Sequence, residues 1–176
     1  MALVIKNQLP DIYAPYYSFY STRARRSFLE TLFHELSHAS QYAQVGPTYW
    51  LPYVKYIYTY GGYGNISLPN SGIVAISEAW AEDLHLHILK YLYNQTIYDT
   101  YAETPINSWI PYGLYRDLND DGTNEPFDAV SGITYSEIYA LLQHDMQDVW
   151  SLKAKLKLNY PTQQTQIDNL FAHYGY

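Results

Sequence analysis

A five-residue segment at positions 34–38 constrains this chain more than any other, because its sequence, HELSH, has the pattern H-E-x-x-H. The residues around it are apolar at steps of three and four, which predicts an amphipathic α-helix with His34, His38 and Gln41 on a different face. The apolar residues are Phe28, Leu29, Leu32, Phe33, Leu36 and Ala43. Side chains four positions apart lie one above the other, roughly 6 Å apart along the helix axis. The spacing therefore lets both histidines bind one metal ion.

Zinc is the metal that this pattern predicts, because zinc binds imidazole nitrogen and lowers the pKa of a bound water from about 15.7 to about 7. Glu35 lies beside His34 in the sequence and is placed to take the proton of that water. Two histidines do not complete a zinc site, so a third protein ligand is needed. The competing interpretation is that His34 and His38 are ordinary polar residues of an amphipathic helix.

A second segment, SEAWAE at positions 77–82, offers the third ligand. Glu78 and Glu82 are four positions apart, and apolar residues recur along another face, which predicts a second amphipathic helix. Those apolar residues are Ile73, Ile76, Trp80, Leu84, Ile88 and Tyr91. His85 follows on nearly the same face as the two glutamates, so it either reaches toward the site or is an ordinary structural histidine.

HELSH at 34–38 and SEAWAE at 77–82 together resemble the motifs of the gluzincin metallopeptidases. The resemblance implies that His34, His38 and Glu78 bind one zinc ion per chain and that Glu35 is the general base. It also implies that Glu82 hydrogen-bonds a ligand histidine, where the family more often has Asp. The implied activity is hydrolysis of peptide bonds, in a peptide or protein substrate, by a zinc-activated water. The resemblance covers only these two helices.

The rest of the sequence predicts an α+β domain that is predominantly α-helical. Gly46-Pro47 ends the HELSH helix, and a capping box at 134–137 starts a later one. The further helices are predicted at 48–60, 134–145, 148–158 and from Pro161 onward. The one predicted strand is Ala2–Ile5, although gluzincins usually place a sheet before the H-E-x-x-H helix. We therefore expect a single zincin-like metallopeptidase domain over residues 1–176 with a reduced or truncated N-terminal sheet. The favoured explanation for so short a sheet is that the chain begins inside a larger protein.

Charge and composition narrow the classes of partner. A net charge of −7 with 10 basic residues argues against a nucleic-acid partner. The chain has no cysteine, which excludes a disulfide framework and a thiolate metal site. The longest apolar runs, Ala2–Ile5 and Gly72–Ile76, are too short to span a bilayer, so no membrane span is predicted.

Tyrosine is unusually frequent, with 22 residues against 15% charged residues. This composition is typical of exported bacterial proteins, so we expect an extracellular, periplasmic or cell-surface location. Residues 1–10 lack the pattern of a signal peptide. A glycine- and tyrosine-rich segment at 58–65 is either a plain surface turn or a border of the active-site cleft. The sequence leaves the oligomeric state open.

A polar segment at Asp117–Asp128 has the spacing of a calcium-binding loop. The residues at loop positions 1, 3, 5, 6, 9 and 12 are Asp117, Asn119, Asp121, Gly122, Glu125 and Asp128. Position 12 is Asp in place of the usual Glu, which shortens the bidentate ligand. A turn stabilised by Asp and Asn side chains is the favoured alternative to calcium binding.

Two other functional classes stay open beside the metallopeptidase. One is a different zinc-dependent hydrolase that acts on another amide or ester, because zinc chemistry does not itself specify a peptide. The other is a non-catalytic, tyrosine-rich binding domain with a structural zinc. Glu35 argues against the second class, since a structural site has no need of a base and usually fills its fourth position with protein.

Overall fold

The computed structural model describes residues 22–93, 109–120 and 127–176, and these residues are mostly helical. The helices are α1 (Thr22–Tyr60), α2 (Ser71–Tyr93), α3 (Leu114–Asn119), α4 (Tyr135–Leu141), α5 (Val149–Asn159) and α6 (Gln164–His173), with a 3₁₀ turn at Pro161–Gln163. No strand occurs in the described ranges. The prediction of a predominantly α-helical chain is confirmed there, while the strand predicted at Ala2–Ile5 lies outside the described residues.

Helix α1 is broken at Gly46, as the Gly46-Pro47 pair predicts. Gly46 has φ 76° and ψ 178°, a conformation that residues with a Cβ rarely adopt. Pro47 then starts the second half of the helix, where its fixed φ is favourable. The break turns the chain, so that the two halves of α1 present separate sets of side chains to α2.

Helix α2 lies at the centre of the fold and packs against α1, α3 and α5. Its apolar residues face the core on more than one side, and Ile76, Ala79 and Trp80 are all buried. A helix that is apolar around most of its circumference is stable only when neighbours cover it. Three charged or titratable residues, Glu78, Asp83 and His85, are buried with them. Such residues are rarely buried without a specific partner.

The start of α2 is fixed by close contact between Gly72 and the residue that caps α5. A Cβ on Gly72 would lie 2.5 Å from the Cβ of Asp148 and 2.7 Å from the carbonyl oxygen of Gln147. Asp148 accepts a hydrogen bond from the backbone N–H of Ser151 at 2.7 Å and so caps α5. Only glycine allows the two backbones to approach this closely.

Asp83 joins α2 to the start of α3. Its carboxylate accepts hydrogen bonds from the backbone N–H groups of Gly113 and Tyr115, each at 3.0 Å. Burial raises the pKa of Asp83 to about 7, although Arg116 and the Tyr115 N–H act to lower it. These bonds hold the short helix α3 against α2.

Replacing Asp83 with alanine is expected to lower the free energy of unfolding by about 2–4 kcal/mol. The substitution leaves two buried N–H groups without an acceptor, and each unsatisfied group costs about 1–3 kcal/mol. Urea denaturation measures the difference. Asp83→Asn keeps one acceptor oxygen and should lose less, so equal losses in the two variants would contradict this account.

Helix α4 begins as predicted but ends earlier than predicted. Thr134 and Glu137 form both hydrogen bonds of the capping box. The helix stops at Leu141, whereas the sequence predicted that it continues to about Asp145. The Nε2 of Gln44 donates to the carbonyl oxygens of Tyr139 and Leu142, at 2.6 and 2.8 Å. These contacts from α1 occupy acceptors that a longer helix would use.

The other C-terminal helices agree with their predictions, and one helix was not predicted. Helix α5 spans Val149–Asn159, one residue later than the segment predicted at 148–158. The last helix follows the turn that Pro161 opens, and Ile167, Leu170 and Phe171 are buried as its pattern indicates. Helix α3 lies in a segment for which no helix was predicted. None of the helices in the described ranges combines the length and apolarity needed to cross a membrane.

The predicted calcium segment is described only at its two ends. Asp117 is buried in α3 and accepts a hydrogen bond of 2.6 Å from the hydroxyl of Tyr174. Asp128 is also buried, and it accepts from the backbone N–H of Val130 at 3.0 Å. Asp121, Gly122 and Glu125 lie outside the described residues, so calcium binding at Asp117–Asp128 stays a prediction.

Candidate metal centre

The first half of α1 and helix α2 run antiparallel where the two sequence motifs meet. His38 lies against Glu78, while His34 lies between Glu78 and Glu82. Residue numbers therefore rise along α1 as they fall along α2. This pairing brings four of the five predicted site residues into one cluster.

The distances within the cluster fit a metal site better than a set of hydrogen bonds. The Nε2 atoms of His34 and His38 each lie 3.6 Å from an oxygen of Glu78, and the three ligand atoms all lie within 4.8 Å of one another. Atoms that bind zinc tetrahedrally at about 2.0–2.2 Å are roughly 3.3–3.6 Å apart. Hydrogen bonds to nitrogen are shorter, at about 2.7–3.2 Å. The spacing leaves room for an ion between the ligands.

Burial supports the same conclusion. The Glu78 side chain is 2% exposed, and its Oε2 atom has no hydrogen-bond partner among the described residues. Nδ1 of His38 is likewise buried with no such partner there. A buried carboxylate oxygen without a hydrogen bond is costly, and a bound cation would compensate that cost. The donor set of two imidazoles and one carboxylate is one that zinc uses in catalytic sites.

The histidines and carboxylates of the cluster shift one another's pKa values. Burial by itself lowers the pKa of His34, but the carboxylates of Glu78 and Glu82 raise it to about 9. Burial raises the pKa of Glu78, but His38 and His34 hold it well below its usual range. Without a metal ion, the two carboxylates therefore favour the protonated form of His34. His34 has to release that proton before its ring nitrogen can bind a metal.

A second group of potential ligands adjoins the first and shares His34 with it. Oε2 of Glu82 lies 3.5 Å from Nδ1 of His34 and 3.8 Å from Nδ1 of His85. The structure thus places Glu82 on the side of His34 that faces away from Glu78, as expected for a residue that orients this ligand. His85 is buried beside it, whereas His87 is exposed and packs on Tyr135.

Glu35 lies on α1 between the two ligand histidines and is half-buried. Its charge raises the pKa values of Tyr53 and Tyr63, although burial has the larger effect on both. The charge of Glu78 raises the same two pKa values. Glu35 and Glu78 therefore act electrostatically on the same two tyrosine hydroxyls.

The charge of Glu78 acts on three tyrosines that the sequence could not single out. Tyr53, from the second half of α1, donates a hydrogen bond to Oε1 of Glu78. The charge of Glu78 also raises the pKa values of Tyr63 and Tyr112, where burial is again the largest cause. Tyr63 comes from the glycine- and tyrosine-rich segment, and it remains 45% exposed. All three phenols keep their protons at neutral pH and are available as hydrogen-bond donors.

Replacing Tyr53 with phenylalanine is expected to weaken zinc binding by about 10–100-fold, the usual cost of losing a group that orients a metal ligand. The substitution removes one hydroxyl and keeps the buried ring. Competition with a chromophoric chelator measures the affinity. Tyr58→Phe is the matched control, because Tyr58 lies on the same half-helix and is 77% exposed. Equal affinities in wild type and Tyr53→Phe would show that the hydroxyl does not orient Glu78.

No family model, curated protein or solved structure matches this chain.

Proposed function

We propose that this chain is a zinc-dependent metallopeptidase of the gluzincin kind, which hydrolyses peptide bonds. The observation that carries the proposal is the convergence of His34, His38 and Glu78 at metal-ligand spacing, with Glu35 on the same helix as the two histidines. A base beside an incomplete ligand set is what a catalytic zinc site requires.

In this proposal His34, His38 and Glu78 hold one zinc ion. Bound there, zinc supplies Lewis acidity, which makes water a nucleophile at neutral pH and polarises a substrate carbonyl. Glu82, whose Oε2 lies 3.5 Å from Nδ1 of His34, favours the tautomer that carries its proton on Nδ1 and leaves Nε2 free for the ion. Tyr53 fixes the orientation of Glu78 through its hydrogen bond to Oε1.

Glu35 transfers the proton. Its carboxylate takes a proton from the attacking water and delivers it to the nitrogen of the leaving amine. Such positioned acid–base catalysis contributes typically 10²–10⁴-fold to a rate. The half-buried position of Glu35 supports this role, because the carboxylate is partly shielded from solvent yet accessible to a substrate.

The tetrahedral intermediate needs a donor for its oxyanion, a contribution worth about 3–4 kcal/mol when one donor is lost. Among the described residues we assign this role to Tyr63 or Tyr112, because burial and the charge of Glu78 raise the pKa values of both hydroxyls and keep them protonated. Tyr63 is the better placed for a substrate, because it is partly exposed at the surface.

The proposal is tested with wild-type protein by combining metal analysis with substrate profiling. Metal-free protein is equilibrated at low free zinc, its zinc content is measured by elemental analysis, and a broad peptide mixture is digested and sequenced by mass spectrometry. We expect one zinc per chain and peptide cleavage that a chelator abolishes and zinc restores.

The alternative classes give different results in the same experiment. Zinc binding with hydrolysis of model esters or non-peptide amides, but no peptide cleavage, would replace the peptidase by another zinc hydrolase. Zinc binding without hydrolysis of any substrate class would favour the tyrosine-rich binding domain. Absence of bound zinc would overturn the metal centre itself.

A further inference from the structure

The side of His34 that faces away from Glu78 has a ligand set of its own. Nδ1 of His34, Oε2 of Glu82 and Nδ1 of His85 lie together, at 3.5 Å between His34 and Glu82 and 3.8 Å between Glu82 and His85. One ligand atom from each of the three residues lies within 4.8 Å of the others. Both contacts are longer than a good hydrogen bond and close to the separation of two atoms that share a metal ion.

The exposures of Glu82 and His85 differ in a way that suits a metal site. The Glu82 side chain is 32% exposed, so an ion can reach this group from solvent. The His85 side chain is 6% exposed, and its ring lies beside that of His34, with the ring centroids 5.8 Å apart. The group therefore has a buried nitrogen ligand, a shared imidazole and an accessible carboxylate.

We propose that His34, Glu82 and His85 form a second divalent-metal site, with the imidazole of His34 bridging two ions. The inference rests on the proposed metal centre, because His34 is common to both. The second ion takes the place of the proton on Nδ1 of His34, and that proton passes to solvent. The ring of His34 is then an imidazolate, with one nitrogen directed to each ion.

His85 has to change tautomer for this site to fill. Its Nδ1 atom lies 3.2 Å from the carbonyl oxygen of Ala81, a contact in which Nδ1 carries the proton. Binding through Nδ1 places the proton on Nε2 and gives up the bond to Ala81. This loss and the deprotonation of His34 make the second site weaker than the first, so it fills only at higher free zinc.

The site is tested by measuring how many ions bind as free zinc is raised. Metal-free protein is dialysed against a series of zinc buffers, and bound zinc per chain is determined by elemental analysis. Wild type is expected to show two steps and to reach two zinc ions per chain. His85→Ala is expected to keep the first step, within a few-fold in free zinc, and to lose the second.

His87→Ala is the matched control, because it removes a histidine from the same helix two residues away, on an exposed face. It should retain both steps. Far-ultraviolet circular dichroism and thermal unfolding verify that each variant is folded. A wild-type curve that ends at one ion, or a second step that survives His85→Ala, would overturn the second site while leaving the first intact. Absence of both steps would overturn the proposed function as well.

A spectroscopic measurement tests the bridge itself. Two Cu²⁺ ions joined by one imidazolate are magnetically coupled, so wild type loaded with two Cu²⁺ ions should give a coupled electron paramagnetic resonance spectrum. His85→Ala loaded with one ion should give the spectrum of isolated Cu²⁺. Two uncoupled signals in wild type would contradict a bridge through His34.

Discussion

Replacing Glu35 with glutamine is expected to lower the rate of peptide hydrolysis by about 10²–10⁴-fold while zinc content stays at the wild-type value. Glutamine has nearly the shape of glutamate but does not accept a proton from water near neutral pH. Because Glu35 is not one of the residues in the ligand clusters, removal of its charge should leave zinc in place. Initial rates on one cleaved peptide, together with elemental analysis, measure both quantities.

Glu30→Gln is the matched control for this substitution. Glu30 lies on the same helix, belongs to neither ligand cluster and pairs with Arg26 at 2.7 Å, a contact worth at most about 1 kcal/mol. It should keep both zinc and activity. Loss of zinc in Glu35→Gln would mean that Glu35 is a ligand, and full activity would mean that another group takes the proton.

Replacing Glu78 with glutamine is expected to weaken binding at the first zinc site, because a ligand is lost and not only its orientation. The loss should exceed that of Tyr53→Phe, for which about 10–100-fold is predicted. A neutral amide is a poor substitute for a carboxylate toward zinc, whereas its shape preserves the packing of α2. Peptide hydrolysis should be lost together with the metal. Chelator competition and elemental analysis follow the binding, and circular dichroism verifies the fold.

Glu137→Gln is a useful comparison, because Glu137 is a glutamate of α4 whose carboxylate caps its own helix and lies outside the ligand clusters. Its effect should be confined to stability, with zinc affinity unchanged. Zinc binding by Glu78→Gln at the wild-type level would remove Glu78 from the ligand set.

All the described helices except α3 were predictable from sequence, because their signals are local. Gly46-Pro47 breaks α1 and the Thr134–Glu137 capping box starts α4, and both depend on residues within one or two turns. The end of α4 was not predictable in this way. It depends on Gln44, a residue far away in the sequence that donates to the carbonyls of Tyr139 and Leu142.

The buried face of α1 shows a second limit of pattern reasoning. The apolar stripe predicts that Leu36 faces the core, yet Leu36 is 41% exposed, while Ser37, His38 and Gln41 are buried against the rest of the fold. Periodicity shows that a helix has an apolar and a polar face, and it predicts that the apolar face is the buried one. Here the more polar side is the buried one, as expected for a helix whose contacts with α2 form a polar site.

The candidate site was predictable only where its signals are local in the sequence or match a known motif. His34, Glu35 and His38 follow from one local motif, and Glu78 and Glu82 follow from a resemblance. His85 was recognisable as a neighbour of that motif, but only the packing of α2 against α1 shows that it lies beside Glu82. No sequence pattern distinguished Tyr53, Tyr63 and Tyr112 from the other tyrosines. Their interactions with Glu78 form only in the folded chain.

The placement of two ligands on one turn of α1 has a consequence for the kinetics of folding. His34 and His38 come together as soon as that turn forms, whereas Glu78 joins them only after α2 packs against α1. Forming an isolated turn is unfavourable, and an ion that links both histidines would compensate part of that cost. Zinc should therefore bind the unfolded chain weakly and accelerate the nucleation of α1. Because binding to the unfolded state offsets binding to the native state, the rise in melting temperature on adding zinc should be smaller than the native affinity alone predicts.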